Sequence, residues 1–211
     1  MSIDPAGFPF VIVAAMSAVV AAALGVWVPA VIFLVLAAAM AAFFRDPERS
    51  PPASPTLVLA PADGTVRFAG EAPRDGAPEG RWQQVTIFLS LLDVHVNRAP
   101  AGGRVVRVKF VKGTFLPAYR ADAIGNEHSE IWLDVAGTTI VVRQVVGVLA
   151  RRVVCRVKPG EMLAPGARIG VMKFGSRMDV FVPMTATLAV GPGDHVRAGE
   201  TVIARLAAGD A

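Results

Sequence analysis

The chain contains a single cysteine, Cys155, so no internal disulfide can form and a disulfide-stapled secreted scaffold is excluded. Cys155 lies in the apolar run VVCRV and reads as a core residue in a reducing compartment, not as a nucleophile. No His, Cys and acid spacing suits a metal, and neither a P-loop nor a dinucleotide fingerprint is present. No helix-turn-helix or aromatic-basic signature accompanies the net charge of +4, so nucleic acid is not an expected partner. Charge itself is missing from Pro5 to Phe44. The stretch before it, MSIDPAG, carries an acid and no Lys or Arg, unlike a secretory signal peptide.

That uncharged run explains a hydrophobic content of 54% over 211 residues, above a usual soluble profile. As one helix, Phe8 to Phe44 would measure about 55 Å, well beyond a hydrocarbon core of about 30 Å. GVWVP, Gly25 to Pro29, breaks it near the middle, which predicts two short helices in a hairpin. Arg45 and Arg49 follow directly, favouring a cytoplasmic exit. The expected organisation is a membrane anchor over 1–44, a Pro-rich linker over 45–56 and a catalytic domain over 57–211. The expected place is the cytoplasmic face of the cell membrane, and the basic balance fits anionic lipid.

Beyond FFRDPERSPPASP the chain becomes short apolar or alternating runs rich in Val, Ile, Thr and Phe, punctuated by Gly, Pro and Asp. Such a pattern predicts a mainly β fold. KPGEMLAPGARIGVM and GPGDHVRAGETVIAR echo one another, each with Pro-Gly, an acid, an apolar residue, then Gly and an apolar strand. The turn resembles that of biotinyl and lipoyl carrier domains, which are flattened β-sandwiches of barrel-sandwich type. A membrane-tethered carrier modified on Lys173 is therefore an alternative, and a tethered β-barrel adaptor is a third. Exposed strand edges make a homodimer reasonable.

Three polar clusters carry candidate chemistry. In PADGTV, Asp63 precedes Gly64, a pair that on its own signals only a turn. In SLLDVHVNRAP, Asp93, His95 and Asn97 alternate with valines and are expected to share a strand face. In VMKFGSRMDVFVP, Gly175-Ser176 interrupts a strand pattern beside Arg177. His128 and His195 lie in Gly- and acid-rich surroundings and are expected to be solvated.

Taken together, FFRDPER, PADGTV, LLDVHVNRAP, the Asn126-Glu127 pair, QVVGVLARRVVC and KFGSRMDVF resemble the phosphatidylserine decarboxylase family, in its short, membrane-anchored, archaeal-type (class II) form. The resemblance implies that a proenzyme cuts itself between Gly175 and Ser176, giving chains 1–175 and 176–211 that stay together. It further implies that Ser176 becomes a pyruvoyl group, the self-generated cofactor, which forms a Schiff base with the serine amine of phosphatidylserine. Carbon dioxide is then lost and phosphatidylethanolamine is the product. By the same resemblance, Asp63 and His95 assist the serine as a proton relay. Longer members carry two histidines three apart in this strand; here the second position is Arg98, and His95 matches the first, which in the family goes with decarboxylation. Arg98, Arg177 and Arg45 are candidate contacts for phosphate or carboxylate, which a guanidinium binds bidentately.

Overall fold

The computed structural model describes residues 2–74, 76–117, 123, 125–147, 153–173 and 176–207, and divides into two compact units, Met1–Glu48 and Arg49–Ala211. In the first, Asp4 caps a 3-10 turn, its Oδ1 accepting from Ala6 N at 2.9 Å, and opens helix α1 (Phe8–Ala23). Leu24 to Val26, with Gly25 at φ 73°, turns the chain into α2 (Trp27–Phe43). Ala14, Ala18 and Ala21 of α1 and Ala30 and Ala37 of α2 are buried, while Ile12, Val19, Ile32 and Leu34 point outward. Small residues thus line the contact between the two helices, and large apolar ones face outward. Residues 5–23 are long and apolar enough to cross a bilayer by length and composition; α2 is a shorter apolar helix. Strands β1 (Ser2–Ile3) and β2 (Arg45–Asp46) pair and tie the two ends of the hairpin together.

The second unit is mainly β: β3 (Leu57–Leu59), β4 (Gly64–Glu71), β5 (Trp82–Leu89), β6 (Val96–Arg98), β7 (Gly103–Val111), β8 (His128–Val135), β9 (Thr138–Val145), β10 (Val154–Cys155), β11 (Met162–Leu163), β12 (Arg168–Val171), β13 (Ser176–Pro183), β14 (Thr187–Leu188), β15 (His195–Val196) and β16 (Val202–Arg205). Eight of these form a curled half-barrel in the order β11-β7-β8-β9-β13-β5-β4-β15. Two three-stranded sheets, β10-β12-β6 and β14-β16-β3, complete the unit. Along β13, Met178, Val180 and Val182 are buried in the core with Ile87, Val85, Val142 and Ile131, as the period of two requires.

The register runs one row of residues across the large sheet: Val111, His128, Val145, Arg177, Phe88, Thr65 and His195. Everything just beyond that row, including Ser176, Gly64 and the 90–94 turn, lies at one end of the half-barrel. This end is where the polar motifs gather.

The sequence echo is a structural repeat. Gly160 and Gly193 have φ 91° and 100°, and Gly166 and Gly199 have φ 73° and 74°. Gly160 N and Gly193 N donate to Val105 O and Val66 O at 2.7 and 2.9 Å; Gly166 N and Gly199 N donate to Ala99 O and Ala60 O at 2.9 and 2.8 Å. Each turn therefore docks on an equivalent place, the first on β6–β7 and the second on β3–β4. The segments docked upon also correspond, PAGG at 100–103 and PADG at 61–64.

Candidate active site

Ser176 is the first residue of β13, pairs with Leu89 of β5, and is fully buried. Its Oγ has no hydrogen-bond partner among the described residues. An orphan hydroxyl in a core costs roughly 1–3 kcal/mol, so it marks a position kept for some purpose other than stability. Gly175 lies outside the described residues.

His95, also fully buried, sits just before β6. Its backbone O accepts from Met172 N at 3.1 Å, which ties it to the segment leading into Ser176. Its Nδ1 lies 2.9 Å from the carbonyl of Asp93. A carbonyl only accepts, so Nδ1 carries the hydrogen and Nε2 is the nitrogen left to take up a proton. The alternation expected of Asp93, His95 and Asn97 is interrupted, because the strand begins only at Val96. Asn97 faces inward all the same, its Oδ1 accepting from Gln144 Nε2 at 2.8 Å.

Gln144 stands opposite Met178 and therefore projects from the same face as Ser176. It crosses from the large sheet to β6–β12 through space left by Gly170, where a Cβ would lie 2.8 Å from Gln144 Nε2 and collide with Val154 O. Gly170→Ala is expected to lower stability by about 1–3 kcal/mol, as overpacking does. It should also detach Gln144 from Asn97; thermal unfolding gives the first effect, and side-chain amide NMR shifts report the second.

Asp63 has both carboxylate oxygens engaged. Oδ2 pairs with Arg49 Nη2 at 2.7 Å, and Oδ1 accepts from Ala198 N at 2.7 Å. The repeat explains the second bond: in the twin copy Gly102 replaces the acid and Pro165, which has no N–H, replaces Ala198. Donor and acceptor are lost together. Asp63 thus stands at the same end of the sheet as Ser176, across β5 from it, but holds the β-turn and Arg49.

The arginines are dispersed. Arg98 is buried, with Nη1 donating to Gly166 O at 3.0 Å. Arg177 faces away from Ser176, on the other side of the sheet, and pairs with Asp179 at 3.1 Å. Arg45 belongs to the helical unit and donates to Ala42 O at 2.8 Å. Lys173 is half-buried.

That other side of the sheet holds a polar cluster that sequence reading missed. His128 was expected in solvent, yet it opens β8 and is buried; His195 is the exposed one. Glu130 Oε1 lies 2.6 Å from Arg143 Nη2 and 3.6 Å from His128 Nε2. Burial pushes the Glu130 carboxyl up, but hydrogen bonds from His128, Arg143 and Trp132 and the charge of Arg143 outweigh it and pull it down to about 2. The signal was available: in HSEIWLDV, His128, Glu130 and Trp132 alternate and so share a face.

Comparison with known proteins decides the class. Residues 36–204 match the family model for phosphatidylserine decarboxylase. The chain belongs to the phosphatidylserine decarboxylase family. It is 41% identical over 202 residues to a phosphatidylserine decarboxylase proenzyme of Geotalea uraniireducens, covering 95% of this chain and 94% of that one. A proenzyme of the same name from Mycolicibacterium smegmatis is 44% identical over 179 residues, 82% of this chain and 77% of its own length. One from Geobacter metallireducens is 39% identical over 207 residues. Membership of this decarboxylase family takes precedence over the carrier-domain alternative. The mainly β half-barrel and the N-terminal apolar helices match the fold expected from the residue pattern.

Proposed function

We propose that the chain is a proenzyme that cuts itself between Gly175 and Ser176 and then decarboxylates phosphatidylserine to phosphatidylethanolamine at the membrane. The observation that carries this reading is the buried Ser176 hydroxyl, unpartnered among the described residues, at the start of β13 and beside the segment tied to His95. A serine with that surrounding suits conversion to a pyruvoyl group, since its oxygen has no structural bond to lose.

In the maturation step Ser176 Oγ adds to the Gly175 carbonyl carbon; the C–O bond forms, the C–N bond breaks and the nitrogen takes the hydroxyl proton. Loss of the Ser176 Cα proton and cleavage of its Cβ–Oγ bond then release the Gly175 carboxylate. One water enters and one ammonia leaves as the terminal ketone is made. That ketone would supply the carbonyl that captures the substrate amine, and the amide carbonyl conjugated with it would accept the electron pair of the bond to carbon dioxide. His95 moves protons through Nε2, its ring held by the Asp93 carbonyl. Asn97 and Gln144 keep the inner wall beside Ser176 polar and fixed.

The helical unit serves as the anchor, because a two-chain lipid hardly leaves its bilayer. Arg45 and Arg49 after it favour the cytoplasmic face for the β unit. Purified full-length protein should appear as two fragments by intact mass in denaturant, the smaller beginning at residue 176 with a blocked terminus. It should release carbon dioxide from carboxyl-labelled phosphatidylserine. An unbroken chain that is nonetheless active would sink the proposal.

A further inference from the structure

The end of the half-barrel that carries Ser176 exposes several large apolar side chains. Leu91 and Leu92, in the turn after β5, are 56% and 84% exposed, and Leu92 is the most exposed large apolar side chain described outside the helical unit. Phe110 and Phe115, near the end of β7 and just after it, are 54% and 37% exposed. The register places both pairs beyond or beside the row that passes through Arg177, on either flank of β13. Turn tips ordinarily carry Gly, Asn, Asp or Ser, not two leucines.

Hydrogen bonds shape both of the turns that carry these side chains. Asp93 Oδ2 accepts from Ser90 N and Ser90 Oγ at 2.8 and 2.7 Å, closing the turn whose middle residues are the leucines. Buried Asn126 clamps the other loop: its Oδ1 accepts from Leu116 N at 2.9 Å, and its Nδ2 donates to Leu116 O and Val146 O at 2.7 and 2.9 Å. An exposed polar clamp in one turn and a buried one in the other fix the backbone that presents these apolar side chains.

Charge accompanies them. Lys109 and Lys112 are exposed at this end, and Lys173 in the segment before Ser176 is half-buried. Three of the chain's four lysines are thus here, although arginine is otherwise the preferred cation of the sequence. Of the described acids at this end, Asp63 is paired with Arg49, Asp93 is taken up by the turn, and Glu127 is half-buried. Leucine and phenylalanine tips interspersed with lysines on flexible stems fit the boundary of an anionic bilayer, where rings and branched chains enter the acyl region and ammonium groups stay at headgroup level.

We infer that this end of the β unit is itself a bilayer contact: Leu91, Leu92 and Phe115 enter an anionic lipid surface and Lys109 and Lys112 hold its headgroups. Ser176 then meets a headgroup that has not left the membrane. The inference deepens the decarboxylase reading and rests on it for the choice of lipid over a protein partner.

The test uses the full chain in phosphatidylserine-containing nanodiscs. In a Cys155→Ala background, Leu92→Cys and Phe115→Cys are each labelled with an environment-sensitive fluorophore, with exposed Arg74→Cys, in the β4–β5 connection, as reference. Quenchers on the lipid chains should dim positions 92 and 115 several-fold more than position 74, and Lys109→Glu with Lys112→Glu should shrink the difference. Equal quenching at all three positions overturns the contact, as does shielding of position 92 from aqueous iodide without lipid quenching, which would mark a protein partner. Carbon dioxide release is followed in parallel for the unlabelled protein. Turnover without lipid quenching removes the contact alone, whereas lipid quenching without turnover leaves the contact standing and removes the decarboxylase reading.

Discussion

Ser176→Ala is expected to give a single polypeptide that folds, stays uncut, and releases no carbon dioxide above background. The loss should be complete, because the substitution removes both the nucleophile for maturation and the leaving oxygen whose departure lets the terminal ketone form. Stability should move the other way. Ser176 Oγ has no hydrogen bond among the described residues, so replacing it with a hydrogen breaks none with them and relieves the burial of that hydroxyl. The variant is therefore predicted to unfold at an equal or slightly higher temperature than uncut wild type, by at most about 2 kcal/mol. Intact mass, a carbon dioxide assay and a thermal melt on one preparation separate a chemical defect from a folding defect. A variant that loses activity because it misfolds would not support the assignment; one that still splits at the same bond would refute it.

Arg143→Met is expected to have the largest effect on stability. Arg143 pairs with Glu130 at 2.6 Å, donates to the carbonyl of Gly76, and lies 4.9 Å over the ring of Phe181. Removing it leaves the Glu130 carboxylate buried without its main countercharge, a change that costs about 3–5 kcal/mol. The same pair predicts a pH dependence. Glu130 is held at about 2 against an ordinary value of 4.5. A depressed carboxyl pKa adds stability that is fully present above pH 4.5 and is lost as pH falls toward 2, about 3 kcal/mol in all. Glu130→Gln should therefore unfold with a shallower acid limb between pH 5 and 2 than wild type. Urea midpoints across that range provide the measurement; identical limbs would show that the pair does not contribute in this way.

Much of this was legible in the sequence, for identifiable reasons. The uncharged run from Pro5 to Phe44 and the Gly-Pro break within it leave little besides a helical hairpin, and the alternation with regular turn residues leaves little besides a β fold. The echo of KPGE and GPGD proved to be a repeated turn because Gly at positive φ and Pro before it are demands of backbone geometry. What failed to show is set by tertiary partners. A period of two says which residues share a face but not where a strand starts, so His95 was placed within a strand that begins one residue later. It also does not say whether the second face is covered, and His128, Glu130 and Arg143 were missed for that reason. The use of Asp63 by Arg49 and Ala198 depends on segments far along the chain, and no local pattern announces it.

The position of β13 bears on what the proposed scission would leave. The strand that begins at Ser176 is not at a border; β5 is zipped to one side of it and β9 to the other. Opening the link before it would add two termini and subtract no rung of either ladder. The severed piece could depart only if the half-barrel itself came apart, so losing the fragment and denaturing would be one event. Halves made separately should not reassemble by simple mixing, since neither would possess a finished core on which the other could settle.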